Sequence, residues 1–240
     1  TVFVTSADVP LLTGQTLREL GKAHESAKNA VTVVTTVVED PTGYGRIIRE
    51  DGAVTKIVEH RDASEDELAV REINAGIYAF DAAFLAEVLP TLGTDNDQGE
   101  VYLTDTIAAA IARGRRCGAF ILEDVWQAQG CNDRVQLSEL RAEMNRRILE
   151  EHMRGGVTVV DPTSTWIDVD VEIAPDVTIE PGCILEGNTF IDSYSEIGPH
   201  TTLRNVEVGE GSIMPYCFAF DALVEAGTLL PAFQQLQNRI

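Results

Sequence analysis

Asp8 follows an apolar, β-branched run, Thr1-Val2-Phe3-Val4-Thr5, within Ser6-Ala7-Asp8-Val9-Pro10. A carboxylate at the carboxyl end of a buried strand is where open α/β sheets place metal and substrate chemistry. The same Asp-Val-Pro sequence is also an ordinary way to end a strand in a turn. Four further polar clusters interrupt apolar segments. Gly43-Tyr44-Gly45-Arg46-Ile47 offers two glycines that let the backbone approach a ligand beside an arginine; a hairpin turn accounts for it equally well. Ile57-Val58-Glu59 puts a carboxylate at the end of an apolar run, as a ligand contact or a solvated strand end. Glu72-Ile73-Asn74-Ala75-Gly76-Ile77 sets an amide and a glycine inside a strand-like run, where both types are depleted. Gly130-Cys131-Asn132-Asp133-Arg134 places a second amide just before a helix, where asparagine also serves as an N-cap.

The elements that must position these residues read as an α/β layer. Strand-like runs at 2–7, 31–38, 46–49, 54–58, 73–80 and 117–122 alternate with helical patterns at 16–27, at 98–113, and from an Asp81 cap through Val88. A long helix follows from Arg134 to Gly155, with apolar residues at Val135, Leu137, Leu140, Met144, Ile148 and Leu149, stopped by Gly155-Gly156. It reads as a linker between domains. Beyond it the period changes. Ile167, Ile173, Ile179, Leu185, Ile191, Ile197 and Leu203 fall six residues apart, and Val208 arrives one early. The fourth residue after each of the first six is small or β-branched: Val171, Val177, Cys183, Thr189, Ser195, Thr201. Such hexads build a parallel β-helix in which each coil buries the face of the next. The regular tract suffices for little more than two three-sided coils, and the last ten residues show neither repeat nor cap, so a frayed end with an exposed coil edge is expected. The expected division is therefore 1–134, 135–155 and 156–240.

Composition narrows the function class. Thirty-nine acidic residues against 18 basic ones give a formal charge of −21, which repels nucleic-acid phosphate and anionic membrane. No apolar stretch approaches the roughly 20 residues needed to cross a bilayer. Cys117, Cys131, Cys183 and Cys217 form no CxxC pair, which argues against zinc and for reduced thiols in a cytoplasmic protein. The histidines have no partner motif: His24, His60 and His152 fall in helix, loop and linker, and His200 in a hexad turn.

In order and spacing, the five motifs, together with Tyr102-Leu103-Thr104-Asp105, resemble the bacterial GlmU family, actinobacterial in flavour. Members join an N-acetylglucosamine-1-phosphate uridylyltransferase to a glucosamine-1-phosphate N-acetyltransferase. The resemblance covers residues 1 to about 213. It implies a partial Rossmann-like nucleotidyltransferase domain, a linker helix and the start of a left-handed β-helix of hexapeptide repeats. It implies synthesis of UDP-N-acetylglucosamine from UTP and N-acetylglucosamine-1-phosphate. Acetyl-CoA and glucosamine-1-phosphate are the second pair of substrates, and the full-length form is a homotrimer. Asp8 and Asn132 then correspond to ligands of Mg²⁺, which prefers hard oxygens and takes one or two protein ligands beside phosphate. Ser6 and Ala7 correspond to backbone contacts with the sugar nucleotide. Gly45, Glu59 and Asn74 correspond to the sugar-recognition set. The family's glycine-rich loop, with the arginine and lysine that clamp UTP, is expected upstream of Thr1; Arg46 and Lys56 do not stand in for them. The acetyltransferase histidine is expected beyond the last match. On this reading the chain alone lacks both activities. Two other readings remain open: a monofunctional sugar-nucleotide pyrophosphorylase with a structural β-helix, and a non-catalytic trimerising scaffold.

Overall fold

The β-branched runs of the first half become one mixed sheet. In the computed structural model, which describes residues 1–94 and 99–237, its strands are β1 (Val2–Val4), β2 (Val31–Val37), β3 (Arg46–Glu50), β4 (Ala53–Val58), β5 (Glu72–Phe80) and β6 (Cys117–Ile121). β5 is the hub, antiparallel to β1, β2 and β3, while β2 continues parallel into β6. β2 is buried along nearly its whole length, as expected for a strand covered on both faces. β3 and β4 form a hairpin closed by Asp51-Gly52, both at positive φ (49° and 82°), the pair that such a turn favours. The Gly43–Gly45 segment is therefore the approach to β3.

The helices of this unit follow their caps. α1 (Gly14–Ala27) starts at Thr13, whose hydroxyl accepts from the Thr16 N–H. α2 (Glu65–Leu68) is a single turn held by a reciprocal Ser64–Glu67 capping box, too short to show a hydrophobic period. α3 (Ala82–Val88) is capped by Asp81, as the sequence suggested. α4 (Asp105–Ala112) is shorter than the helix expected over 98–113. Gln98 lies outside the described residues, and the helix begins only at Asp105, after Thr104, whose hydroxyl is bonded to Glu59. β1 also corrects the expectation of a buried strand over 2–7. It ends at Val4, Phe3 is 42% exposed, and Asp8 sits in the turn that follows.

The chain divides into two compact units, Thr1–Leu140 and Arg141–Ile240, and α5 (Arg134–Arg154) runs through the division. Of its apolar stripe, Leu140 and Leu149 are buried, whereas Val135 and Leu137 are exposed.

The second unit is a three-faced parallel solenoid of about four turns, consistent with a left-handed β-helix. One face stacks β7 (Thr158–Val159), β10 (Thr178–Ile179), β13 (Glu196–Ile197) and β15 (Ile213–Met214); between them come β8 (Trp166–Ile167), β9 (Glu172–Ile173), β11 (Ile184–Glu186), β12 (Phe190–Ile191), β14 (Thr202–Val208), β16 (Phe218–Val224) and β17 (Gln235–Gln237). Ile167 and the aliphatics from Ile179 to Leu203 point into the core with the small residues four places on. Corners use left-handed backbone, by glycine at Gly182 and Gly187 and by His200, Asn205, Tyr216 and Asp221 in later coils. His200 is thus a corner residue, as its hexad suggested. The structure extends past the regular hexads. Ile184 pairs with Thr202 eighteen residues on, Glu196 with Ile213 seventeen on, and Thr202 with Phe218 sixteen on. β17 then pairs with β16, so the expected fraying does not begin before Gln237.

Candidate active site

Six of the seven residues singled out from the sequence, Ser6, Asp8, Gly45, Glu59, Asn74 and Asn132, line one cleft of about 360 Å³ in the first unit. Ala7, the seventh, is exposed in the turn between Ser6 and Asp8 and is not part of the wall. A larger groove of about 610 Å³ in the second unit, between Arg141 and Trp166 on its walls, gathers none of them.

Two loops bring Asp8 and Asn132 to the same wall. The Asp8 carbonyl accepts from the Cys131 N–H at 2.9 Å, which lays the 130–132 loop against the turn after β1. Gly130 lies close under this carboxylate, where a Cβ would stand 3.0 Å from Asp8 Oδ2. Asn132 does not cap α5, contrary to its alternative reading. Asp133 does so, its Oδ1 accepting from the N–H groups of Val135 and Gln136, while Gln136 Oε1 reaches back to the Asn132 N–H at 2.7 Å. The Asn132 carboxamide is not used by the helix end. Asp8 and Asn132 offer hard oxygen donors at an open wall, a set that fits a divalent cation completing its shell with ligand phosphates and water. No group of three or more His, Cys, Asp and Glu that would hold a metal by itself occurs among the described residues.

The opposite wall is made by strand ends. Between Val33 and Thr35 of β2, two residues on, the partner on β5 moves four, from Tyr78 to Asn74. This bulge is what the unusual Asn-Ala-Gly within a strand provides. Gly76 takes a left-handed φ of 70° and would meet Ser6 Oγ at 2.9 Å if it carried a Cβ. Asn74 is held twice, its N–H donating to the Gly45 carbonyl and its Oδ1 accepting from the Gly76 N–H, both at 2.9 Å. Glu59, just past β4, packs on Gly45 and accepts from the Thr104 hydroxyl at 3.2 Å. Burial raises its pKa above the ordinary carboxyl value; the Thr104 bond opposes this, and Asp62 and Asp105 add to it. An adjoining cavity of about 300 Å³ shares Ser6, Glu59, Asn74 and Gly76 and adds Tyr78 and Tyr102.

Tyr44, Gly130, Thr104 and Gln136 also belong to these walls. The first three lie in the quoted motifs without having been singled out. Gln136 enters through its bond to the Asn132 N–H, which no motif in the sequence announces.

The sequence model of the nucleotidyl transferase family matches residues 1–169, which contain the whole cleft. The chain belongs to this family. It is 50% identical to the bifunctional protein GlmU of Kineococcus radiotolerans over 99% of this chain and 48% of that protein. It is 56% identical to the protein of the same name from Paenarthrobacter aurescens, over 88% of this chain and 43% of the relative. For the Thermobifida fusca protein the identity is 51%, over 93% and 46%. The chain spans about half the length of the curated relatives it matches.

Proposed function

We propose that the cleft binds N-acetylglucosamine-1-phosphate and the uridine nucleotide for synthesis of UDP-N-acetylglucosamine. The observation that carries this reading is the convergence of Ser6, Asp8, Gly45, Glu59, Asn74 and Asn132 on one cavity from five separate segments. In the reaction, a phosphate oxygen of the sugar-1-phosphate attacks the α-phosphorus of UTP, and the bond to pyrophosphate breaks. Asp8 and Asn132 are the residues that would hold Mg²⁺, by carboxylate and amide oxygen, and the ion would supply positive charge against the phosphates. Gly45 meets the sugar through its main chain and Glu59 through its carboxylate, while Asn74 addresses the sugar or its acetamido group. Ser6 and Ala7 contribute backbone contacts. A ligand lacking one of these groups leaves a polar atom unpaired, which is how such a site selects. Positioning accounts for the chemistry, and no covalent intermediate on the protein is involved.

For the longer proteins of this kind we also propose acetyl transfer from acetyl-CoA to glucosamine-1-phosphate, assembly of three copies through the solenoid, and a cytoplasmic location. No helix among the described residues is long and apolar enough to cross a membrane.

Calorimetric titration of the chain with UDP-N-acetylglucosamine tests the cleft. Binding is expected with Mg²⁺ and not in EDTA, and Asp8→Ala and Asn132→Ala are each expected to weaken it by about tenfold or more, a loss of about 1.4 kcal/mol. Unchanged affinity in both variants would sink the assignment.

A further inference from the structure

Arg46 is the first residue of β3, and it is 1% exposed. No carboxylate forms an ion pair with it among the described residues; Asp40 acts on it only at longer range, opposing the fall in pKa that burial imposes. Its three nitrogens meet three different fates. Nη1 donates to the Tyr44 carbonyl, Nη2 lies 3.3 Å from His60 Nδ1, and Nε has no partner. A buried cation without a counter-charge is costly, and an apolar side chain of similar volume at such a place is often neutral or stabilising. Packing alone therefore does not explain this arginine.

The guanidinium spans two loops of the cleft. Tyr44 and Gly45 lie immediately before it in the chain, His60 follows Glu59, and the β3–β4 register sets Arg46 opposite Val58. One planar fork thus reaches both strand ends, which a single-point ammonium does not. Guanidinium has no lone pair, so His60 must present an unprotonated Nδ1 to it. The spacing between the two loops is tight. A Cβ on Gly45 would stand 3.2 Å from Ile57 Cγ2 and 3.3 Å from Glu59 Oε2, so a shift of a few tenths of an ångström changes what fits between them.

We propose that Arg46 is a positioning residue whose guanidinium fastens the Tyr44 backbone to His60 and so sets the gap between the Gly45 main chain and the Glu59 carboxylate. This rests on the reading of Gly45 and Glu59 as sugar contacts. The test titrates the 240-residue chain with N-acetylglucosamine-1-phosphate and Mg²⁺, and records melting and hydrogen exchange alongside. Arg46→Lys keeps the charge without the fork, Arg46→Met keeps the bulk, and His60→Phe removes the far anchor at a half-buried position. All three are expected to lose about tenfold or more in affinity and to exchange the Tyr44 amide faster. Arg46→Met is expected to melt no earlier than the unsubstituted chain. Full affinity in Arg46→Lys or His60→Phe overturns the proposal. Glu59→Gln separates the two levels: if it weakens binding while the Arg46 and His60 variants do not, only the positioning role falls. If it leaves binding unchanged, or the unsubstituted chain does not bind, the sugar-site reading falls.

Discussion

Burial holds a proton on Glu59 to higher pH than an exposed carboxyl would keep it, despite the opposing bond from Thr104. Between its unfolded and folded pKa values the folded chain therefore binds more protons than the unfolded one, and stability falls as pH rises through that interval. Above it the cost of burying the charge is constant. Glu59→Gln keeps the shape and removes the charge. Its melting temperature, relative to the unsubstituted chain, is expected to rise as pH is taken from about 4 to about 7, although it weakens sugar binding. A difference that does not change with pH contradicts this origin of the shift. The residue proposed to meet the sugar is thus one whose buried charge costs the fold stability at neutral pH.

At the scale of elements, the first coil of the solenoid needs its free edge satisfied, and α5 supplies the means. Asn145, 8% exposed, donates from Nδ2 to the Thr165 carbonyl at 2.8 Å and accepts at Oδ1 from the Ile167 N–H at 3.1 Å. One carboxamide thereby replaces the neighbouring strand that β8 lacks on this side. Asn145→Leu orphans both backbone groups, at about 1–3 kcal/mol each. Urea denaturation followed by Trp166 fluorescence, in a Trp126→Phe background, is expected to show a lower midpoint, together with faster exchange of the Ile167 amide. An unchanged midpoint and unchanged protection would show that the clamp contributes nothing. Later coils needed less help from sequence regularity than the hexads suggested. Once Asn205 and Asp221 turn corners within β14 and β16, seventeen- and sixteen-residue coils still keep their register. The six-residue period was therefore legible only as far as Leu203. The α/β alternation was legible because its runs are long, whereas α2 is a single turn set by the local Ser64–Glu67 box, and the ends of β1 and α4 carry no comparable signal in the sequence. In the site, Asp8, Asn74 and Asn132 were visible as oddities of type and place. What freed Asn132, namely the Asp133 cap, and what aimed Asn74, namely the β5 bulge, depend on pairings that no residue shows alone.

At the scale of the whole molecule, charge constrains the account. With 18 basic residues against 39 acidic ones, the field opposes a phosphorylated ligand. On the proposed reading a cation brought in at the cleft offsets this, because the local charge of such an ion outweighs the distant carboxylates. The central claim is accordingly that the metal sits at Asp8 and Asn132. Backbone amide spectra of the chain with UDP-N-acetylglucosamine, with paramagnetic Mn²⁺ in place of Mg²⁺, test it most directly. Signals of residues 6–8 and 130–132 are expected to broaden first, those of the solenoid to stay sharp, and the effect to disappear in Asp8→Ala. Broadening centred elsewhere, or persisting unchanged in Asp8→Ala, would contradict the claim.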